Sequence, residues 1–275
     1  MTTCYAKRAF QTLQEESIGK ISKKFINIVL WKLSNKDNQI HFNSFKNVIF
    51  NKVKYDAPKS PFETILIDSN KIKHSMKYDN QGKWVVDPPK YGGLGQVKND
   101  DWDKTEYRRE VDKLWIVNGL KERFNEGKNW EDTVYYNYLY DKHSRTNKYK
   151  ERGYDSVEDY VISQCKNYDS LYSEIKDRGY QPNHRGKRRR PGSNLMMRDQ
   201  LEVLIVIDRY GNINFTEGYH RFAIARCLDL EIPAHVLCRH KNWQMIRDHV
   251  YNSEDLEDYK EELQNHPDLQ DLFTE

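Results

Sequence analysis

Leu201 to Cys238 reads LEVLIVIDRYGNINFTEGYHRFAIARCLDLEIPAHVLC, and its changes of period lay out a fold. LEVLIVID is an unbroken apolar, β-branched run that ends at Asp208, and RYGN supplies a Gly-Asn turn that sends the chain back through NINFTE. That pattern predicts a hairpin. From Tyr219 the period lengthens: Phe222, Ala225 and Leu228, with Ile224 and Cys227, form one apolar stripe and predict a helix. Proline cannot sit in a helix interior, so Glu231-Ile232-Pro233 closes the helix and starts a last strand, AHVLC. Glu217, Gly218, Tyr219, His220 and Arg221 then gather at the first turn, where backbone N–H groups lack partners and the helix dipole is positive. An anion is favoured there.

Within this stretch, TEGYHRFAIARCLDLEIPAHVL resembles the central signature of the ParB/sulfiredoxin-like superfamily. In that signature an acidic residue or glycine, a glycine and an Arg-Arg or His-Arg pair open a helix that ends in Gly/Asp-Leu, x-Ile-Pro and an apolar strand. His220-Arg221 is similar to the pair of the sulfiredoxin and free-serine-kinase branches, and Tyr168 to Tyr180 carries a weaker match. The resemblance implies an α+β fold, a small mixed sheet with helices, to which this chain adds a largely helical insertion and an N-terminal extension. It also implies that Gly218, His220 and Arg221 hold the phosphates of a nucleotide, ATP or CTP. Glu217 would polarise an acceptor hydroxyl or help position Mg²⁺, with His220 as a second catalytic group. Sulfiredoxin chemistry is disfavoured, because that branch has a cysteine immediately before its His-Arg and this chain has Tyr219.

At 275 residues the chain has room for one large domain or two small ones. Its hydrophobic content of 37% is low, but six Trp, nineteen Tyr and ten Phe supply enough apolar surface for a core. A formal charge of +3 does not by itself indicate a nucleic-acid binder, but its distribution is uneven. Lys176 to Arg190 holds seven Lys/Arg against one Asp, and Tyr251 to Glu275 holds nine Asp/Glu against one Lys. No apolar run approaches the roughly 18 residues of a membrane span, so a cytoplasmic protein with no membrane partner is expected. Cys4, Cys165, Cys227 and Cys238 show neither a CxxC pair nor the density of a disulfide scaffold.

Taken in order, residues 1–61 read as an N-terminal extension, in which Phe25, Ile28, Val29 and Leu33 predict a helix and residues 44–55 a strand. The core is expected over 62–250, starting with a strand at Phe62 to Ile67, and 104–153 within it is a mainly helical insertion. Pro88-Pro89 followed by Gly92, Gly93 and Gly95 predicts a surface loop that lacks the Gly-Lys-Ser/Thr ending of a phosphate-binding loop. YDSVEDYVISQCKNYDSLYSEIKDRGY predicts a long helix capped by Gly179, and 251–275 an acidic C-terminal tail.

Three side-chain groups complete the candidate site. Asp100, Asp101 and Asp103 either offer oxygen ligands to Mg²⁺ or form a solvated turn that caps the following helix. Lys187, Arg188, Arg189 and Arg190 form a solvated loop, a clamp on a phosphorylated small molecule, or a docking point for the backbone of a nucleic acid. Arg239, at the exit of the last strand, is expected to converge with Arg221 on phosphate oxygens. Together these residues favour a nucleotide-dependent phosphotransferase acting on a hydroxyl. A ParB-like DNA-binding protein or nuclease and a non-enzymatic nucleotide sensor are the alternatives. Replacing Arg188, Arg189 and Arg190 by alanine is expected to weaken polyphosphate or DNA binding in a titration. The unfolding free energy should change by no more than about 1 kcal/mol, because solvated charges contribute little to folding.

Overall fold

Val203–Ile207 is apolar at every position because both of its faces are buried. The computed structural model describes residues 39–146, 148–181, 201–254, 259 and 261–273. Among them runs one mixed sheet of seven strands: β1 (Thr64–Asp68), β2 (His74–Ser75), β3 (Gln96–Lys98), β4 (Arg109–Glu110), β5 (Val203–Ile207), β6 (Ile213–Glu217) and β7 (Glu231–His240). The order is β1-β7-β5-β6-β2-β4, with β3 also on β7. One edge of β7 is shared by β1, antiparallel, and β3, parallel, while β5 runs parallel along the other. β5 and β6 form the expected hairpin. Its turn is held by Asp208, whose Oδ1 accepts from the backbone N–H of Tyr210 and Asn212 at 2.9 Å. Gly211 adopts a left-handed φ of 89°, and a Cβ there would run into the ring of Trp243.

Helices α1 (Gln39–Lys54), α2 (Trp115–Phe124), α3 (Val134–Ser144), α4 (Val157–Arg178), α5 (Tyr219–Cys227) and α6 (Lys241–Tyr251) pack around the sheet, forming a mixed α+β architecture. Alternation along β5 sorts the two cores. Val203, Ile205 and Ile207 join Phe215, Phe222, Tyr135, Tyr168 and the helical layer on one side. Leu204 and Val206 join Met76, Leu94, Trp102 and Ile40 of α1 on the other. α4 begins at Ser156, whose hydroxyl accepts from the Asp159 N–H, and ends at Gly179 with φ 72°, as its sequence predicts. No described helix is long and apolar enough to cross a membrane.

Four expectations change. Residues 44–55 are helical to Lys54, because Ile40, Ser44, Val48 and Asn51 recur at helical spacing and form the buried face of α1. The Gly-rich segment is more than a surface loop. Asn43, Asn47 and Asn51, one turn apart on α1, donate side-chain N–H groups to the carbonyls of Lys90, Gly92, Leu94 and Gly95. That ladder satisfies the backbone of a buried loop, and Ile40 of α1 packs with Leu94 beside it. The last strand begins at Glu231 and runs on to His240 through Pro233, with α6 following directly. The acidic tail also packs inward. Asp268 is fully buried and accepts from Arg239 Nε at 2.8 Å and Nη2 at 2.6 Å, and from Trp243 Nε1 at 3.0 Å, while Arg247 bonds the Asp268 carbonyl. The helix expected over Phe25 to Leu33 lies outside the described residues.

Burial alone would raise the Asp268 carboxyl, but the Arg239 guanidinium outweighs it and holds the group well below the usual carboxylate range. A folded pKa below the unfolded one places this stabilisation in full above the ordinary carboxylate pKa and removes it as pH falls below that value. Asp268→Ala leaves the buried Arg239 without its counter-charge and takes from Arg247 the farther of its two carboxylates, Asp271 staying at 2.8 Å. It is expected to cost about 3–5 kcal/mol in urea denaturation at neutral pH, with the difference from the intact chain shrinking in acid.

Candidate functional site at the start of helix α5

β6 ends at Glu217, which lies opposite Leu204 of β5, and Gly218 turns the chain into α5 with φ 95° and ψ 33°. The left-handed conformation requires glycine, and so does the space, since a Cβ would sit 3.0 Å from the Val203 Cα. Gly218, as a glycine, offers no side chain of its own to cap this helix start. Successive residues then leave the first turn in different directions, about 100° apart. Tyr219 points towards Lys77, whose ammonium lies 5.2 Å from its ring centroid. His220 enters the helical layer, with Nε2 3.1 Å from the Tyr135 hydroxyl and its ring stacked on Tyr168 at 4.0 Å and 8°. Arg221 turns to the far side. Its guanidinium lies over Tyr180 at 4.9 Å, donates to the Gln181 carbonyl at 2.9 Å and approaches Glu202 to 3.6 Å. Tyr180 donates its hydroxyl to the same Glu202 carboxylate at 2.9 Å.

Glu217 is one-third exposed and pairs with Lys77 at 3.3 Å. Burial and the neighbouring Glu217 push the Tyr219 hydroxyl up to about 12, so it stays protonated in neutral solution. The turn therefore presents Glu217, the backbone of Gly218 and Arg221 within one half-buried surface, while His220 is engaged with two tyrosines. Lys77 carries no motif that separates it from other surface lysines. The only signal was the Asp79-Asn80-Gln81-Gly82 turn between Tyr78 and Trp84, which folds Lys77 to Val85 into a small hairpin over the site.

The remaining candidates do not reach this turn. Asp103 is buried and its carboxylate is taken by Arg209, with Nε at 3.0 and 2.9 Å from its two oxygens, while Arg209 Nη2 holds Asp101 at 2.7 Å. Burial would raise Asp103, but hydrogen bonds from Arg209 win and keep it below its ordinary value; Asp101 is lowered by the same hydrogen bond. Arg209 belongs to the β5–β6 turn, at the opposite end of β6 from Glu217, and Asp100 is exposed. Oxygens committed to a guanidinium are poor ligands for Mg²⁺, and no group of three or more His, Cys, Asp or Glu among the described residues is placed to hold a metal ion. Arg239 is also distant. It pairs with Ile207, three residues along β5 from Leu204, a separation of about 10 Å, and its charge is spent on Asp268. Lys187, Arg188, Arg189 and Arg190 lie outside the described residues.

Comparison of the chain with protein-family models, with curated proteins and with solved structures finds no match. Gly218→Ala tests the geometry of the turn. Placing a side chain in the left-handed region against Val203 is expected to cost about 1–2 kcal/mol in chemical denaturation.

Proposed function

We propose that the chain binds a nucleotide through its phosphates at the Gly218–Arg221 turn and transfers a phosphoryl group to a hydroxyl acceptor. The observation that carries this reading is a helix start entered through a left-handed glycine, which has no side chain of its own to cap it, and flanked by a carboxylate and by basic side chains. The resemblance of TEGYHRFAIARCLDLEIPAHVL to the ParB/sulfiredoxin-like signature supports it independently. Backbone N–H groups of the first turn would meet phosphate oxygens, and the absent Cβ of Gly218 lets the ligand approach the main chain. Arg221 retains guanidinium N–H groups beyond the one given to Gln181. Glu217 would accept the acceptor's proton. His220, locked between Tyr135 and Tyr168, sets the orientation of the turn against the helical layer. Because Asp101 and Asp103 are held by Arg209, no step is assigned to a metal on those residues.

Nucleic acid is the second reading, favoured by one observation. The segment that contains the Lys187–Arg190 cluster starts after Gln181 and ends before Leu201, and Arg221 contacts both Gln181 and Glu202. Calorimetry with ATP, CTP and GTP, each with and without Mg²⁺, separates the readings. The phosphotransferase reading expects one nucleotide to bind and R221A to weaken it by about 1.5–3 kcal/mol while remaining folded. Absence of binding tighter than about 1 mM sinks it. Duplex binding that weakens steeply with salt in its place favours nucleic acid. Binding without turnover in the presence of hydroxyl acceptors leaves a nucleotide sensor.

A further inference from the structure

Lys77 is nearly enclosed, with its side chain 11% exposed, and its ammonium is surrounded by π-faces. Trp84 lies at 4.7 Å, Tyr78 at 5.1 Å and Tyr219 at 5.2 Å from ring centroid to Nζ. Among the described residues its one carboxylate partner is Glu217, at 3.3 Å. Three aromatic faces hold a cation by their quadrupoles without neutralising it, so among the described residues the ammonium's one full counter-charge is the partly exposed Glu217 carboxylate. The enclosure is built from two separate parts of the chain. Lys77, Tyr78 and Trp84 belong to the hairpin closed by the Val85 N–H to the Lys77 carbonyl, 3.1 Å, and by Asp79 accepting from Gln81 and Lys83. Tyr219 and Glu217 belong to the β6–α5 junction. The hairpin therefore brings a cation to the carboxylate that ends β6.

We infer that Lys77 contacts the ligand of this site directly, its ammonium binding a phosphate-bearing anion beside Glu217, on the opposite flank of the turn from Arg221. Tyr219 and Arg221 are two residues apart and leave α5 about 200° from one another, so the partners they hold lie on two sides of the helix start. An anion placed between them meets a point charge from Lys77 on one side and a guanidinium from Arg221 on the other. The same aromatic walls exclude water from the ammonium, which strengthens its attraction for an incoming charge. This inference rests on the phosphate-binding reading of the turn and adds to it the second cation and the aromatic surface, Tyr78 and Trp84, that a planar ligand would lie against.

Reductive labelling with pyridoxal 5′-phosphate tests Lys77 without relying on activity. The lysine amine condenses with the aldehyde to an imine with loss of water, borohydride supplies the hydride that fixes it as a secondary amine, and peptide mass spectrometry locates it. Lys77 should be labelled ahead of Lys71 and Lys113, whose side chains are 84% and 76% exposed, and much less by pyridoxal, which lacks the phosphate. Inorganic tripolyphosphate should slow the labelling of Lys77 by about ten-fold and leave Lys71 and Lys113 unchanged. In nucleotide titrations, K77M should weaken binding about ten-fold while K77R, which keeps the charge, stays within a few-fold. Thermal melting establishes that both variants fold. Equal labelling by pyridoxal and its phosphate, or no protection by tripolyphosphate, overturns the inference. If nucleotides fail to bind while tripolyphosphate protects Lys77, the nucleotide reading falls and the Lys77 anion site stands. If a nucleotide binds and responds to R221A but leaves Lys77 unprotected, the reverse holds.

Discussion

A buried strand must satisfy the backbone groups of both its edges, and β7 is the longest strand in the sheet. Its ten residues outrun any single partner, so one edge is divided between β1 and β3 and the other is taken by β5. The division fixes much else. β3 can reach the distal end of β7 only if the Gly-rich segment before it lies flat against the sheet, and that segment's carbonyls then need donors. The asparagines of α1 supply them. Likewise, β6 beside β5 places Gly218 against Val203, and the tightness of that contact decides how α5 begins.

The consequence for function is a division of labour along the sheet. At the end of β5 that carries Ile207, charges are numerous but spent on each other: Asp208 on Arg108, Asp103 on Arg209, Arg239 on Asp268. Where Val203 and Glu217 lie, the pairs among the described residues are longer. Glu217 and Lys77 hold one another at 3.3 Å, with the carboxylate still one-third exposed, and Arg221 is 3.6 Å from Glu202. A ligand charge gains more where protein charges are less completely compensated, since it need not displace a tight internal partner.

The hairpin, α4 with its glycine cap and α5 were legible because each depends on local period and turn chemistry. α1 was misread from residue 44 onward for a different reason. Its buried face contains Ser44 and Asn51, which are polar because they bond the neighbouring loop, so hydrophobic period alone could not mark it. The candidate site was legible in part. Gly218 and Arg221 occupy the turn as read, whereas Arg239 and the aspartates between 100 and 103 were grouped with them by chemical type. Chemical type carries no information about which end of a strand a residue occupies. Lys77 was invisible because what distinguishes it is the set of rings around it, drawn from 78, 84 and 219.

The Asp268 network also bears on how the chain is made. Arg239 precedes its counter-ion by 29 residues and sits in β7 itself. While the chain is being synthesised from its N-terminus, β7 can pair with β1 and β5 before Asp268 has left the ribosome. Arg239 would then have to be buried without compensation, which costs several kcal/mol. Docking of the segment that carries Asp268 onto Trp243 and Arg239 supplies the counter-charge that the strand otherwise lacks.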